Sequence, residues 1–576
     1  MDPGARSRAI TAATRRIVAE TESKNPGKRA EVAEMFAGKS YVLFVYLNLR
    51  DVRIVYVPPR DIGEFGGEND NWVWPRHTGD FSFLRAYVAP DGSPASYSAA
   101  NVPYRPKKFL KVQPRGVEEE DAVFILGYPG RTYRHRTSHF LRYEETVRMP
   151  YVADLLEWQI ATMEDQGKSD RAVALRLDAR IKGLANTTKN FRGKLLGMRR
   201  LALVAAREAD ERKLQQFIGA DPARKATYGG LLSEIGEVYD EMTRSAQHDL
   251  TLDYLRSSST LLGAALTILD AARERRKADP ERESAYADRS YPRTVDNTLS
   301  SVRNYHAPTE SIFLNEMLRR AARLPDGQRI AALEPWLAGG EQGIAEFVER
   351  ALRDSRLSDT ASVARALRQA PDSAALQADP LLNLAQALQL EYQNLRETRQ
   401  ARDGELSRLS ALYVDIKQLS LQKSFIPDAN STLRFTFGRI RGYTPADATR
   451  YTPITTLRGV VEKTTGVVPF RSPEKLLELN RARDFGQYAH PRLKSVPVAL
   501  LYNLDTTGGN SGSPLLNAKG ELVGVNFDRA FEATINDYAW SEEYSRSIAV
   551  DIRYVLWVTE KIGGATHLLN EMGVPR

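Results

Sequence analysis

The sequence predicts an α+β protein in which two β-rich regions flank a large helical insertion, and three observations carry that prediction. Residues 39–130 hold short β-branched and aromatic runs separated by Pro and Gly turns. From about Arg134 to Leu421 the chain becomes long Ala-, Leu-, Arg- and Glu-rich segments, with no proline between Pro150 and Pro222 or between Pro222 and Pro280. From about Pro427 onward the β texture returns.

The elements follow in order. A chain of 576 residues is too long for one hydrophobic core, so two or three domains are expected. The N-terminal MDPGARSRAITAATRRIVAE is a mixed-charge, helix-like segment; it has no apolar run or small-residue cleavage site and is not a secretory signal. YVLFVYL, VRIVYV, FSFLRAYV and AVFILGYP read as strands. In the helical region Leu381, Leu384, Leu388, Tyr392 and Leu395 recur at spacings of three and four, and Leu406, Leu409, Tyr413 and Ile416 continue the stripe. Helices of this kind pack antiparallel into a bundle, with corners expected near Pro308, Pro325, Pro335 and Pro371. In LRFTFGRIRGY, Leu433, Phe435 and Phe437 alternate with Arg434 and Thr436, the pattern of a half-buried strand. SPLLNAKGELVGV reads as a hairpin turning at Asn517 to Gly520, and the chain closes on a helix or two.

Composition removes several classes of function. With no cysteine there is no disulfide, thiolate metal site or cysteine nucleophile. The net charge of +8 arises from 81 basic and 73 acidic residues that interleave, as in ARERRKADPERES, which is a solvated surface rather than a nucleic-acid face. No apolar stretch approaches the roughly eighteen residues that membrane insertion needs.

The chemistry-bearing segment is TTGGNSGSP, Thr506 to Pro514, a loop between two strand-like runs. It matches the G-x-S-G-G-P loop of trypsin-like proteases except that Ser513 replaces the second glycine after the serine. Ser511 Oγ would attack a carbonyl while the N–H groups of Gly509 and Ser511 hold the oxyanion. A nucleophile elbow needs glycine where Ser513 stands and a helix after it, but a proline and a strand follow. The plain alternative is a Gly/Ser-rich hairpin loop without chemistry. An acid to orient a histidine base is expected in the first β region, where GGENDNWVWPRHTGD, Gly66 to Asp80, is dense in polar and aromatic groups.

These two segments, in this order and separated by a helical region, resemble the bacterial serine dipeptidyl peptidases 7 and 11. The resemblance runs from about Tyr41 to the C-terminus. It implies a chymotrypsin-like double β-barrel with an inserted α-helical domain that caps the cleft. The corresponding domains are the remainder of the first catalytic barrel at 1–133, the helical cap at 134–427, and the second barrel with a C-terminal helix at 428–576. It further implies peptide substrates, a periplasmic homodimer, and no cofactor or metal. By the match, Asp80 is the triad acid, Ser511 the nucleophile and Gly509 an oxyanion donor. Asn71, Trp72 and Asn186, assisted by Asp528, anchor the free α-amino group of the substrate. Amide oxygens, a carboxylate and an aromatic wall suit an ammonium held at a fixed distance from a nucleophile. Arg529, eighteen residues after Ser511, stands where the family carries an arginine for Asp or Glu before the scissile bond, and a guanidinium binds a carboxylate through two parallel hydrogen bonds. The chain therefore resembles the acidic-specific branch.

One part of the pattern is missing. The family base lies in a segment with two adjacent histidines followed by a cysteine, and no two of the seven histidines here are adjacent. His77, three residues before Asp80, reads as structural; His490, before the last strands, could approach Ser511 as a substitute base, but the resemblance assigns it no role. A start assigned too far downstream, or a truncated gene, would remove the export signal and the histidine segment together. The expectation is a serine exopeptidase releasing dipeptides with Asp or Glu in second position, of little activity as it stands. The competing readings are a non-catalytic peptide-binding protein and a helical interaction protein with incidental strands.

Overall fold

The structure, a computed structural model, describes residues 3–36, 38–369 and 378–574. It divides into two compact units. One holds the described residues of Met1–Ala19, Ser138–Thr188 and Asp210–Leu421, the other those of Glu20–Thr137, Lys189–Ala209 and Gln422–Arg576. The helices Pro3–Lys24 and Arg171–Arg200 contribute residues to both.

The first unit is helical. Its longest element, Pro380–Leu421, carries the whole apolar stripe seen in the sequence. Leu381, Leu384, Leu388, Tyr392 and Leu395 enter a core shared with Leu252, Leu262, Leu314 and Val348. Leu409, Tyr413 and Ile416 enter a second core with Leu214, Ile218 and Ile235. One continuous periodicity thus serves two cores, because a long helix passes successive neighbours on the same face. Pro308 and Pro335 lie in the first turns of Ala307–Ala322 and Glu334–Leu337, where a missing N–H costs nothing, and Pro325 precedes a single 3₁₀ turn. Pro371, expected as a further corner, lies outside the described residues.

The second unit is built on strands. Along the chain, β1 (Lys28–Phe36) and β2 (Ser40–Leu47) form an antiparallel hairpin, and β3 (Asp51–Tyr56), β4 (Phe83–Val88) and β5 (Val102–Pro103) a three-stranded sheet. Next come β6 (Ala122–Gly127), β7 (Arg434–Arg439) and a small hairpin of β8 (Tyr443–Ala446) and β9 (Thr449–Tyr451). The last strands are β10 (Ile454–Thr456), β11 (Pro497–Tyr502), β12 (Pro514–Asn517), β13 (Leu522–Arg529) and β14 (Ser547–Asp551). A seven-stranded sheet takes the order β10-β11-β14-β13-β12-β6-β7. The texture of β6 groups it with the first β region, yet it pairs with β12 and β7. Alternation reports which face of a strand is buried and not which strand it joins; Val123 and Ile125 bury their side chains beside Leu500, Leu515 and Val523. The β12–β13 turn falls where expected, with Asn517 Oδ1 accepting from the N–H groups of Lys519 (2.9 Å) and Glu521 (3.0 Å).

The alternation in β7 is present, but its apolar side faces outward. Phe435 and Phe437 are 60% and 74% exposed, against the half-buried strand that the pattern suggests. The inward positions instead serve the segment leading to the Gly/Ser-rich loop. Thr436 Oγ1 accepts from Asp505 N–H at 3.1 Å, and a Cβ on Gly438 would stand 2.4 Å from Asn503 Oδ1. Close backbone approach there needs a small residue, so the aromatics take the other face. Among the described residues no helix is long and apolar enough to cross a membrane.

Candidate active site

The loop between β11 and β12 is held by its own backbone. Asn510 is buried; its N–H donates to Thr507 O at 3.1 Å, and its Oδ1 accepts from Thr507 N–H at 3.1 Å. Gly512 N–H donates to Asn526 O (2.7 Å) and Ser513 N–H to Asn510 O (3.0 Å). Gly509 has φ +103°, and a Cβ there would stand 2.6 Å from both Tyr128 O and Gly130 N, so only glycine fits. Against these engaged groups, the N–H groups of Gly508, Gly509 and Ser511 donate to no acceptor among the described residues. Ser511 is exposed, and its Oγ donates to Phe527 O at 3.2 Å. An exposed hydroxyl beside unengaged amides is what attack on a carbonyl with oxyanion stabilisation requires.

Phe527 sits at an irregularity between Asn526 and Asp528 in the β13–β14 register, and such irregularities re-aim side chains. Asp528 Oδ2 accepts from Arg76 Nη1 (2.7 Å) and from Trp72 N–H (3.2 Å), while its Oδ1 accepts from Arg529 N–H (2.8 Å). Trp72 is buried with φ +64°, a left-handed conformation unusual for a bulky residue, and this turns its N–H to Asp528. The Arg529 guanidinium lies 5.2 Å from the Trp72 ring centroid. Asn71 is half-buried and its Nδ2 donates to Glu68 Oε2 at 3.1 Å. The structure thus brings Asn71, Trp72, Asp528 and Arg529 to one place, although they come from opposite ends of the sequence.

Arg529 is buried. Its Nη1 donates to Asp537 Oδ1 (2.9 Å) and Thr506 O (3.3 Å), whereas Nε and Nη2 make no hydrogen bond among the described residues. Asp80 opens to solvent on one side, yet the protein around it removes enough water to raise its carboxyl above the usual range. Arg76 opposes that shift, and the charges of Asp528 and Glu64 add to it. No hydrogen bond reaches the Asp80 carboxylate among the described residues. Asn186 is exposed on Arg171–Arg200, in the part belonging to the helical unit.

No histidine among the described residues hydrogen-bonds to Ser511 or Asp80. His77 is buried against Gly459; burial, then the Lys463 charge, depress it to about 3, so it is neutral. His490 is buried as well, its Nδ1 accepting from the N–H groups of Arg492 and Leu493 (3.2 Å each) and its Nε2 lying 3.0 Å from Glu118. Both are spent on structure.

A model of the peptidase S46 family matches residues 1–574. The chain belongs to the peptidase S46 family. Its S46 relatives include an Asp/Glu-specific dipeptidyl-peptidase of Shewanella putrefaciens, 33% identical over 95% of this chain and 78% of that protein. A dipeptidyl-peptidase 7 of Capnocytophaga gingivalis is 32% identical over 96% and 77%. Among solved structures, Porphyromonas endodontalis DPP11 in complex with the dipeptide Arg-Glu is similar at TM-score 0.83 and 30% identity, covering 99% of this chain and 82% of that one. The relatives are peptidases, and the S46 chain shares their mixed helix and sheet fold.

Sequence reasoning missed three residues of this S46 site. Arg76, inside the VWPRHTGD run, fixes Asp528, and its charge within a motif rich in carboxylates is a signal that could have found it. Asp537 and Lys194 stand behind Arg529, joined by an ion pair of 2.7 Å. No motif links positions so far apart in the chain.

Proposed function

We propose that the chain is a serine-type exopeptidase that releases dipeptides from free peptide N-termini, with Asp or Glu at the second position. The observation that carries this is the exposed Ser511 Oγ beside the unengaged N–H groups of Gly509 and Ser511. In this reading Ser511 is the nucleophile, the two N–H groups stabilise the oxyanion, and Asp80 is the acid that orients a base. Asn71, Trp72, Asn186 and Asp528 hold the substrate's ammonium, and the open Nε and Nη2 of Arg529 take the acidic side chain. The names of the relatives, which include Asp/Glu-specific dipeptidyl-peptidases, support the same substrate class.

We infer a chymotrypsin-like double barrel. In this reading the first barrel lies in residues 1–133, apart from β6, with the helical cap in 134–427 and the second barrel in 428–576. An isolated antiparallel bridge between Ile440 and Tyr502, which joins the ends of β7 and β11, supports a closed second barrel. We further propose that the protein acts on peptides as a periplasmic homodimer without cofactor or metal.

The second reading is a non-catalytic peptide-binding protein, favoured by the lack, among the described residues, of any histidine bonded to Ser511 or Asp80. Dipeptidyl-coumarin substrates ending in Asp or Leu separate the two. Asp-preferring hydrolysis that disappears with Ser511→Ala supports the peptidase, whereas binding without Ser511-dependent hydrolysis supports the binder. Preference for Leu would overturn the role of Arg529.

A further inference from the structure

Asp537 is a buried carboxylate between two cations. Its Oδ1 accepts from Arg529 Nη1 (2.9 Å) and Thr507 Oγ1 (2.5 Å), and its Oδ2 pairs with Lys194 Nζ (2.7 Å). The Lys194 and Asp537 side chains are 9% and 11% exposed. Burial alone would raise the Asp537 carboxyl, but Arg529 and Lys194 overcome it and hold it well below the usual range, so Asp537 is ionised.

Lys194 reaches Asp537 because side chains of the turn Phe531–Asp537 press directly on the backbone of its helix at two glycines. A Cβ on Gly193 would stand 2.3 Å from Thr534 Oγ1, and one on Gly197 would stand 2.6 Å from Ile535 Cβ. These glycines permit the contact.

The charges then have a consequence for recognition. Arg529 and Asp537 alone form a neutral pair, and a neutral pair in a desolvated site gives little attraction to an incoming carboxylate. The second cation leaves the trio with one net positive charge, and the open Nε and Nη2 of Arg529 present it. The geometry points to Lys194 as a specificity-determining positioning residue: by neutralising Asp537 from behind, it leaves the Arg529 guanidinium cationic toward an acidic substrate side chain. This rests on the assignment of Arg529 to the acidic-residue pocket.

Calorimetric titration with Arg-Glu and with the uncharged near-isostere Arg-Gln tests the proposal without requiring turnover. Lys194→Gln should lower the Arg-Glu to Arg-Gln affinity ratio by about tenfold. Lys194→Arg should retain the ratio, and Lys194→Gln with Asp537→Asn should restore it to within about threefold, because one cation again stands unopposed. Since the double variant keeps the trio's net charge at the parent's value, it stays informative if Lys194→Gln alone does not fold. A Lys194→Gln ratio within about twofold of the parent, or a double variant no better than the single, would overturn the role of Lys194. Arg529→Gly separates the two claims. If it abolishes the acidic preference while Lys194→Gln does not, only Lys194 fails; if it keeps that preference, the assignment of Arg529 itself fails.

Discussion

Replacing His77 with glutamine should make the β-rich unit less sensitive to acid. His77 is 5% exposed, its Nδ1 has no hydrogen-bond partner among the described residues, and burial with the nearby Lys463 holds its pKa at about 3, against 6.5 when free. The folded state therefore binds a proton less readily than the unfolded state. The stability contributed by the neutral ring is complete above about pH 6.5 and is lost progressively as the pH falls toward 3. At pH 4.5 the unfolded imidazole is two pH units below its pKa while the folded one remains neutral. At about 1.4 kcal/mol per unit this costs about 3 kcal/mol relative to pH 7.5. Urea unfolding followed by tryptophan fluorescence at both pH values measures the loss. The parent should lose about 3 kcal/mol more than His77→Gln between them. Equal losses would refute the reading of His77 as a buried neutral group and reopen it as a titrating base.

Gly509→Ala should reduce labelling of Ser511 by a serine-reactive phosphonate by about tenfold or more, measured by intact mass, because the loop must shift from Tyr128 O and Gly130 N. Asp528→Ala leaves Arg76 buried without its carboxylate, and denaturant unfolding of the β-rich unit should show a loss of about 3–5 kcal/mol. Leu388→Ala should destabilise the helical unit by about 2–5 kcal/mol on the same assay, since Leu388 is fully buried in its core. Phe435→Thr with Phe437→Thr should lower self-association in light scattering while changing stability by under about 0.5 kcal/mol, because both rings are exposed.

How far the sequence could be read depended on whether the determining interactions were local. The stripe from Leu381 to Ile416 was legible because helical period and burial face coincide, and the Asn517–Gly520 turn because turn chemistry is local. β7 shows the limit: its alternation was visible, but the outward side was set by Asn503 and Asp505, more than sixty residues away. The sheet that β6 joins was hidden for the same reason. At the candidate site, Ser511 stood out through its Gly/Ser-rich loop, whereas Asp80, Trp72 and Arg529 were singled out by the family resemblance. Arg76, Lys194 and Asp537 did not stand out, because their roles arise from the positions of partner charges in space. The left-handed backbone of Trp72 has no signature in a sequence without glycine at that position.

The central claim is tested most directly by hydrolysis of a dipeptidyl-coumarin ending in Asp, with and without added imidazole, for the parent and Ser511→Ala. The account predicts slow hydrolysis that prefers Asp over Leu, rises with imidazole as an external base, and falls to the buffer rate in Ser511→Ala. Hydrolysis equal in both proteins, a preference for Leu, or no imidazole-dependent gain over Ser511→Ala would contradict it.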